Sequence, residues 1–279
     1  MSAVLDFLLP WDFSPLAFLS WTASILLYVR GLRLTPLSER PSAARSVAFF
    51  VGTTLAYFVL QTKYEYFSTH MFFLHALQQF AVHHVGPFLV ALSWPQAVLA
   101  RAVPLRARSA FAAVGRHPLA RGFYQVLQNR VVAPAIFTGL IIFWLLPGMH
   151  FYAMLSGRVY WWLNWSMLVD GLLFWFLALD PRSRGEGALL GYGVRMAMVL
   201  VMMVPEMLAG VYITLSGRDL YEVYDLCGRA WAMSAQVDQE IGGIILWGPV
   251  AMLDVVAFLV LLRLAMRASA ASGNMPERS

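Results

Sequence analysis

Four histidines stand inside one apolar run. From His70 to Pro95 the chain reads HMFFLHALQQFAVHHVGPFLVALSWP, with imidazoles at His70, His75, His83 and His84. The whole protein holds only six histidines in 279 residues. Imidazole ligates copper, zinc and iron, and it exchanges protons near neutral pH. Buried in an apolar segment such groups are costly, so four on one element point to a task beyond packing. With side chains set about 100° apart on a helix, His75, Gln79 and His83 fall on one stripe. Asp170, Glu206 and Asp254 are carboxylates at the middle of other apolar runs. With His83 and His84 they form a candidate buried network that pairs charges, passes protons or orients a metal-binding histidine. A purely structural network is the competing reading.

The elements that must position these groups are membrane helices. The chain is 60% hydrophobic and 13% charged, which excludes an ordinary soluble domain. Seven runs approach the roughly 20 apolar residues a helical span needs: about 12–30, 46–61, 70–93, 131–147, 159–178, 196–215 and 241–264. The expectation is an all-α polytopic bundle forming a single integral membrane domain over residues 1–279. Arginine and lysine orient it. Sixteen lie on one side: Arg30, Arg33, Arg40 and Arg45; Arg101 to Arg130; Arg182, Arg184 and Arg195; Arg263, Arg267 and Arg278. Four lie on the other: Lys63, Arg158, Arg218 and Arg229. Positive charge marks the cytoplasmic side, which puts the N-terminus in the periplasm and the C-terminus in the cytoplasm. The net charge of +5 follows from this bias, so nucleic acid is not an expected partner.

With that orientation His70 sits near the outer surface, His75 roughly 7 Å deeper and His83 and His84 roughly 20 Å deeper. Met149 and His150 fall in the second outer loop. The third outer loop carries Cys227, the only cysteine, which has no internal disulfide partner. Two or three imidazoles with a methionine or cysteine would suit copper at the periplasmic face. Met196, Met203 and Met207 share a stripe on the sixth run; thioethers suit Cu(I), and they also fill irregular cores. His117 lies in the basic cytoplasmic loop, as a surface or headgroup residue. The chain has no HExxH, CxxC, P-loop, dinucleotide or CxxCH motif, and an enzyme is not expected.

Several segments together resemble the CtaG family of cytochrome c oxidase assembly factors, polytopic bacterial proteins. The most specific is Asp238-Gln239-Glu240-Ile241-Gly242-Gly243, followed by Trp247 and Pro249. It is similar to the family's DQxxGG stretch with its Trp and Pro. Tyr221 and Tyr224 match paired tyrosines upstream, His75 to Pro87 a His-rich helix, His117-Pro118 an HP dipeptide and Phe174-Trp175 an FW pair. Some family histidines are absent: Gln79 stands four residues after His75, Trp144-Leu145-Leu146-Pro147 replaces a WH before a Pro, and none occurs near Asn164, Ser166 or Asp170. This marks a divergent member. Locally, Asp238 is positioned to cap its own span, Gly242 and Gly243 to allow close helix approach, and Trp247 to anchor at the interface.

The resemblance implies a multi-pass protein of the bacterial inner membrane that helps mature a haem-copper oxidase, delivering or inserting copper as Cu(I). Its partners would be oxidase subunits and periplasmic copper chaperones, within the lipid bilayer. The expected outer site uses His75 and His150, with His70, Met71, Met149 or Cys227 as further ligands. Asp170, Glu206, Asp254, His83 and His84 would form the network behind it. Rival readings are a copper or proton-coupled transporter, a scaffold that stabilises an oxidase subunit without metal, and a b-type haem protein. The last is weakest, because no other span offers a facing histidine.

Overall fold

The computed structural model describes residues 3–273 and is all-helical, with no β-strand among the described residues. Arg278, counted above on the basic side, lies outside them. In chain order the helices are α1 Ala3–Leu8, α2 Pro15–Leu34, α3 Ala43–Gln61, α4 Tyr64–Ser68 and α5 Phe72–Gln79. A π-helical turn, Phe80–Val85, joins α5 to α6 Gly86–Ser93. There follow α7 Gln96–Ala102, α8 Leu105–Arg116, α9 Pro118–Leu127, α10 Val132–Leu145, α11 Pro147–Leu155 and α12 Gly157–Ala178. The last are α13 Tyr192–Leu215, α14 Val223–Cys227 and α15 Ala235–Gly273.

Local chemistry sets several of these boundaries. Ser14 caps α2, accepting from Ala17 N at 3.4 Å, and Pro15 follows at the first helical position. Ser42 caps α3 in the same way through Arg45 N. Pro205 and Pro249 sit inside the long helices α13 and α15, where each removes one backbone donor.

Four helices are long and apolar enough to cross a membrane: Pro15–Leu34, Ala43–Gln61, Tyr192–Leu215 and Ala235–Ala270. A fifth arises if α9 and α10, bent by 69°, form one span. Length and composition thus give four or five spans, against the seven read from the sequence. The difference has physical causes. The expected span 70–93 is divided by the π turn, and α10 is only 14 residues long. The expected span 159–178 is present as the 22-residue α12, diluted by Asn164, Ser166 and Asp170.

Small residues let the helices meet. A Cβ on Gly210 or Gly243 would fall within 3.0 Å of atoms on the partner helix, so α13 and α15 pack nearly backbone to backbone. Another close approach is at Gly171 of α12, where a Cβ would lie 2.4 Å from the carbonyl oxygen of His83. That contact seats the π turn against α12. One end of the bundle gathers α1, α4 and the 216–234 segment: Lys63 pairs with Asp6, and Phe67 stacks on Trp231 at 5.3 Å. The opposite end gathers the basic connections: Arg101 pairs with Glu39, and buried Arg195 donates to the carbonyls of Asp180 and Arg182.

A methyl group at Gly171 is expected to push the π turn off α12. Gly171→Ala should cost about 1–3 kcal/mol, the usual range for overpacking. Gly139→Ala, on an exposed face of α10 with open space around it, should leave stability unchanged or slightly higher. Thermal unfolding of the purified variants in detergent checks this; equal melting temperatures would overturn the contact.

Candidate functional site

The polar side chains inside the bundle form two layers. The first is built where α5 begins. Met71, just before α5, offers no side-chain cap. The first turn is instead capped from another helix: Asp238 of α15 accepts from Phe72 N at 3.0 Å and Phe73 N at 2.9 Å. The guanidinium of Arg229 pairs with the same carboxylate. This corrects the expectation that Asp238 caps its own span. Next to it, Gln239 accepts from Leu220 N at 2.7 Å and donates to the carbonyls of Ile213 and Arg218. It thereby closes the C-terminus of α13 and holds the segment after it. Gly242 leaves room for the Phe72 ring, where a Cβ would meet Cδ1 at 2.3 Å.

Held this way, α5 brings His75 to face His150 of α11. Their ring centroids are 4.8 Å apart and the rings are perpendicular. Both are buried, at 2% and 0% exposure. The two tyrosines flagged by the family pattern close the site. Tyr221 stacks on Phe72 at 4.0 Å and donates to Leu145 O at 3.0 Å. The hydroxyl of Tyr224 lies 2.8 Å from His150 Nε2 and 3.6 Å from Met154 Sδ. His150 Nδ1 contacts the Trp144 carbonyl at 3.3 Å. A carbonyl only accepts, so the Nδ1 position carries the proton and the Nε2 lone pair accepts from Tyr224. α11 is not among the candidate spans, and burial pushes the His150 imidazole down to about 4. It is therefore neutral at physiological pH, the form that ligates metal. His75 Nδ1 is buried with no hydrogen-bond partner.

The other proposed ligands are placed elsewhere or differently. His70 lies over Tyr66, ring centroids 4.1 Å apart, with its Nδ1 2.6 Å from the Tyr66 carbonyl. Cys227 is exposed at the end of α14. Met71 is buried at the entrance to α5, and Met149 is half-buried beside His150. Met154, four residues after His150 on the same helix face, is the thioether that reaches the tyrosine. No sequence pattern singled it out. Among the described residues no group of three or more His, Cys, Asp or Glu is arranged to hold a metal ion.

The second layer lies at the π turn. His83 Nε2 is 3.1 Å from Asp170 of α12, and His84 Nε2 is 3.2 Å from Glu206 of α13. Glu206 also accepts from Thr138 at 3.3 Å. Asp254 of α15 is fully buried, and neither carboxylate oxygen has a hydrogen-bond partner. Asp170 and Asp254 are both near enough to Glu206 for their charges to interact. His83 stacks on Phe137 at 3.9 Å. His83 and His84, with Asp170, Glu206 and Asp254, thus lie close together in the bundle. Of the methionine stripe, Met196 packs against the hydrophobic core, and Met203 and Met207 are half-buried on α13.

Between the layers, Gln79 donates to Asn164 at 2.9 Å. A cavity of about 20 Å³ lies between Gln79, His84 and Glu206, and a single water needs roughly 10–15 Å³. Trp247 sits twelve residues into α15, its Cβ against Gly210 and its indole N–H buried without a partner. It packs inside the bundle instead of anchoring at an interface.

A family model described as cytochrome c oxidase caa3 assembly factor (Caa3_CtaG) matches residues 26–268, most of the chain. No curated protein and no solved structure matches.

Sequence reasoning also passed over Glu65 on α4. Tyr160 donates to Gln78 at 2.6 Å, its oxygen is 2.9 Å from Ser68 Oγ, and Ser68 donates to the Glu65 carbonyl. Burial, with Asp12 nearby, pushes the Glu65 carboxyl from 4.5 up to about 8. The folded protein therefore binds a proton that the unfolded chain lacks between those values. Its contribution is present at low pH and lost as pH rises through about 8. Melting temperature measured from pH 5.5 to 9 should fall up to about pH 8 and level off above it, and Glu65→Gln should flatten that decline. An unchanged pH profile in the variant would exclude Glu65 as its source.

The Asp238 cap predicts a second effect. Asp238→Ala leaves Arg229 with Asp225 alone and two backbone donors without their partner. A loss of about 3 kcal/mol is expected, the range for breaking a buried pair from one side. Arg229→Gln should cost less, because the cap itself remains. Chemical denaturation in detergent micelles distinguishes the two; equal losses would place the energy in the ion pair alone.

Proposed function

Because the chain belongs to the Caa3_CtaG family of cytochrome c oxidase caa3 assembly factors, we propose that it hands Cu(I) to the oxidase during assembly. The carrying observation is the pair of facing, buried imidazoles His75 and His150, one with an unpartnered nitrogen. Copper here is cargo. His75 and His150 are its nitrogen donors, and Met154 supplies the soft sulfur that suits the reduced ion. Met149 and Met71, the methionines expected beside these histidines, are not required in this reading. His70 and Cys227 take no part, because one is engaged with Tyr66 and the other is exposed. The role is non-catalytic, the membrane is the bacterial inner membrane, and the site opens to the periplasm. A topology of seven crossings with the N-terminus outside accompanies it. α5 with the π turn and α6 then cross as one interrupted helix, and α12 crosses despite its polar residues. Oxidase subunits and periplasmic copper chaperones are the partners that load and unload the site.

The second layer supports this function by position. Ligand exchange at a buried site moves charge, and the coupled cluster of His83, His84, Asp170, Glu206 and Asp254 takes up or gives back the accompanying protons. An unpartnered Asp254 inside the bundle favours that over simple packing, since an idle buried carboxylate is costly to keep.

Tyr224 is the control point, because its hydroxyl occupies the His150 lone pair. Competition of the purified protein against a calibrated Cu(I) chelator tests the reading. His75→Ala and His150→Ala should each lose at least tenfold in affinity, and Met154→Leu several-fold. Tyr224→Phe frees Nε2 at the cost of one hydrogen bond, about 0.5–1.5 kcal/mol. It should bind Cu(I) several-fold more tightly. If the wild type holds no Cu(I) while folded, or the histidine variants bind as well as it does, copper transfer is excluded and the metal-free scaffold takes its place.

A further inference from the structure

The segment from α7 to α10 is built unlike the rest of the chain. Residues 101–130 contain six arginines and no aspartate or glutamate. Arg101 pairs with Glu39, but Arg106, Arg108, Arg116, Arg121 and Arg130 make no ion pair among the described residues. α9 has no buried residue, and none of the α8 side chains whose burial is described is buried. Their large apolar side chains are exposed: Leu105, Val114, Leu119, Phe123 and Val126. A soluble surface does not leave such residues open over two consecutive helices.

Their arrangement is ordered. On α9, Leu119, Phe123 and Val126 follow the i, i+4, i+7 spacing of one face, and Arg121 and Gln125 fall on the opposite face. On α8, Arg108 and Arg116 lie across the helix from Val114. α9 meets α10 at 69°. If α10 runs through the bilayer, α9 runs nearly along its surface. The joint is fixed, because Gln128 donates to the Leu173 carbonyl of α12 at 3.2 Å. Amphipathic, basic, flat and continuous with a span is the construction of an interfacial helix pair.

We propose that α8 and α9 form a docking surface for anionic lipid headgroups. The apolar faces enter the acyl boundary, and Arg106, Arg108, Arg116 and Arg121 bind headgroup phosphates through their forked guanidinium donors. The occupant is the phosphodiester of the chain's own bilayer leaflet. The absence of any acidic residue over thirty positions leaves nothing within the segment to compete for those arginines. This surface stands apart from the two polar layers and does not depend on the copper reading.

The test uses the full chain in lipid nanodiscs. Cys227→Ser removes the only native thiol. Phe123→Cys or Gln125→Cys then places an environment-sensitive fluorophore on the apolar or the polar face of α9. In discs containing phosphatidylglycerol, brominated acyl chains should quench the Phe123→Cys probe at least threefold more than the Gln125→Cys probe. In pure phosphatidylcholine, or after Arg106, Arg108, Arg116 and Arg121 are changed to Gln, that contrast should drop at least twofold. Equal quenching at the two positions would overturn the surface itself. A contrast indifferent to headgroup charge and to the arginines would overturn the anionic assignment. A probe that is water-exposed in both lipids and shielded only by added oxidase subunits would make the face a protein interface. Gel filtration of each labelled variant confirms that the bundle is intact before the comparison is made.

Discussion

The structure turns on one carboxylate. Asp238 accepts from two backbone donors at the start of α5 and pairs with Arg229. A helix start leaves its first amides without intrahelical partners, and inside an apolar bundle no water is at hand to meet them. α5 brings no cap of its own. The acid of the last helix therefore sets the height and rotation of α5, and with them the position of His75. Arg229 draws the 216–234 segment onto the same point, and its guanidinium lies 6.0 Å from the ring of Tyr224. One residue thus joins the last helix, the first candidate ligand and the loop that carries the tyrosine on the second. The neighbouring Gln239 and Gly242 act on the same joint, one holding the loop and the other admitting Phe72.

The second layer depends on a different device. An α-helix through Phe80–Val85 would keep its carbonyls occupied and its side chains in regular register. The π turn widens one step, with Gly86 N bonded back to Ala81 O. Adjacent histidines then point to different partners, His83 to α12 and His84 to α13. The close contact at Gly171 gives the widened turn a fixed seat. π turns are rare and concentrate where function outweighs regularity. Here the turn carries two imidazoles that meet two carboxylates on separate helices.

How much of this was legible follows from the kind of signal each feature leaves. Apolar runs of span length carry the all-helical class, and the shared level of His83, His84, Asp170, Glu206 and Asp254 is read from depth alone. Depth is one-dimensional and survives errors of a few residues. Partners are not. Asp238 precedes a span, so a local cap was the natural reading; its true partner is 166 positions away. Trp247 carries an aromatic-belt residue type, but its helix begins a full three turns earlier. His70 and Cys227 have the chemistry of a ligand, and their surroundings, the Tyr66 carbonyl for one and an exposed position for the other, are set by the fold. Met154 was invisible because its neighbour relation runs through Tyr224, a contact between α11 and α14. The π turn has no reliable sequence signature, so the seven-run reading treated 70–93 as one uniform helix.

A transfer site and a storage site make opposite demands on their donors. Storage is served by three or four converged ligands already freed of other bonds. Transfer needs an ion that leaves as readily as it arrives. On the proposed function, an imidazole whose lone pair already accepts a tyrosine hydrogen bond meets that need, because the hydroxyl can return as the ion departs. The competing hydrogen bond lowers affinity by its own free energy, and a neutral imidazole at 0% exposure avoids the added competition of protons. The tyrosine in turn is held by the same segment that Arg229 and Gln239 fasten to the last helix. On the proposed function, a partner that pulls on the 216–234 segment would move Tyr224 and change the hold on copper without touching either histidine.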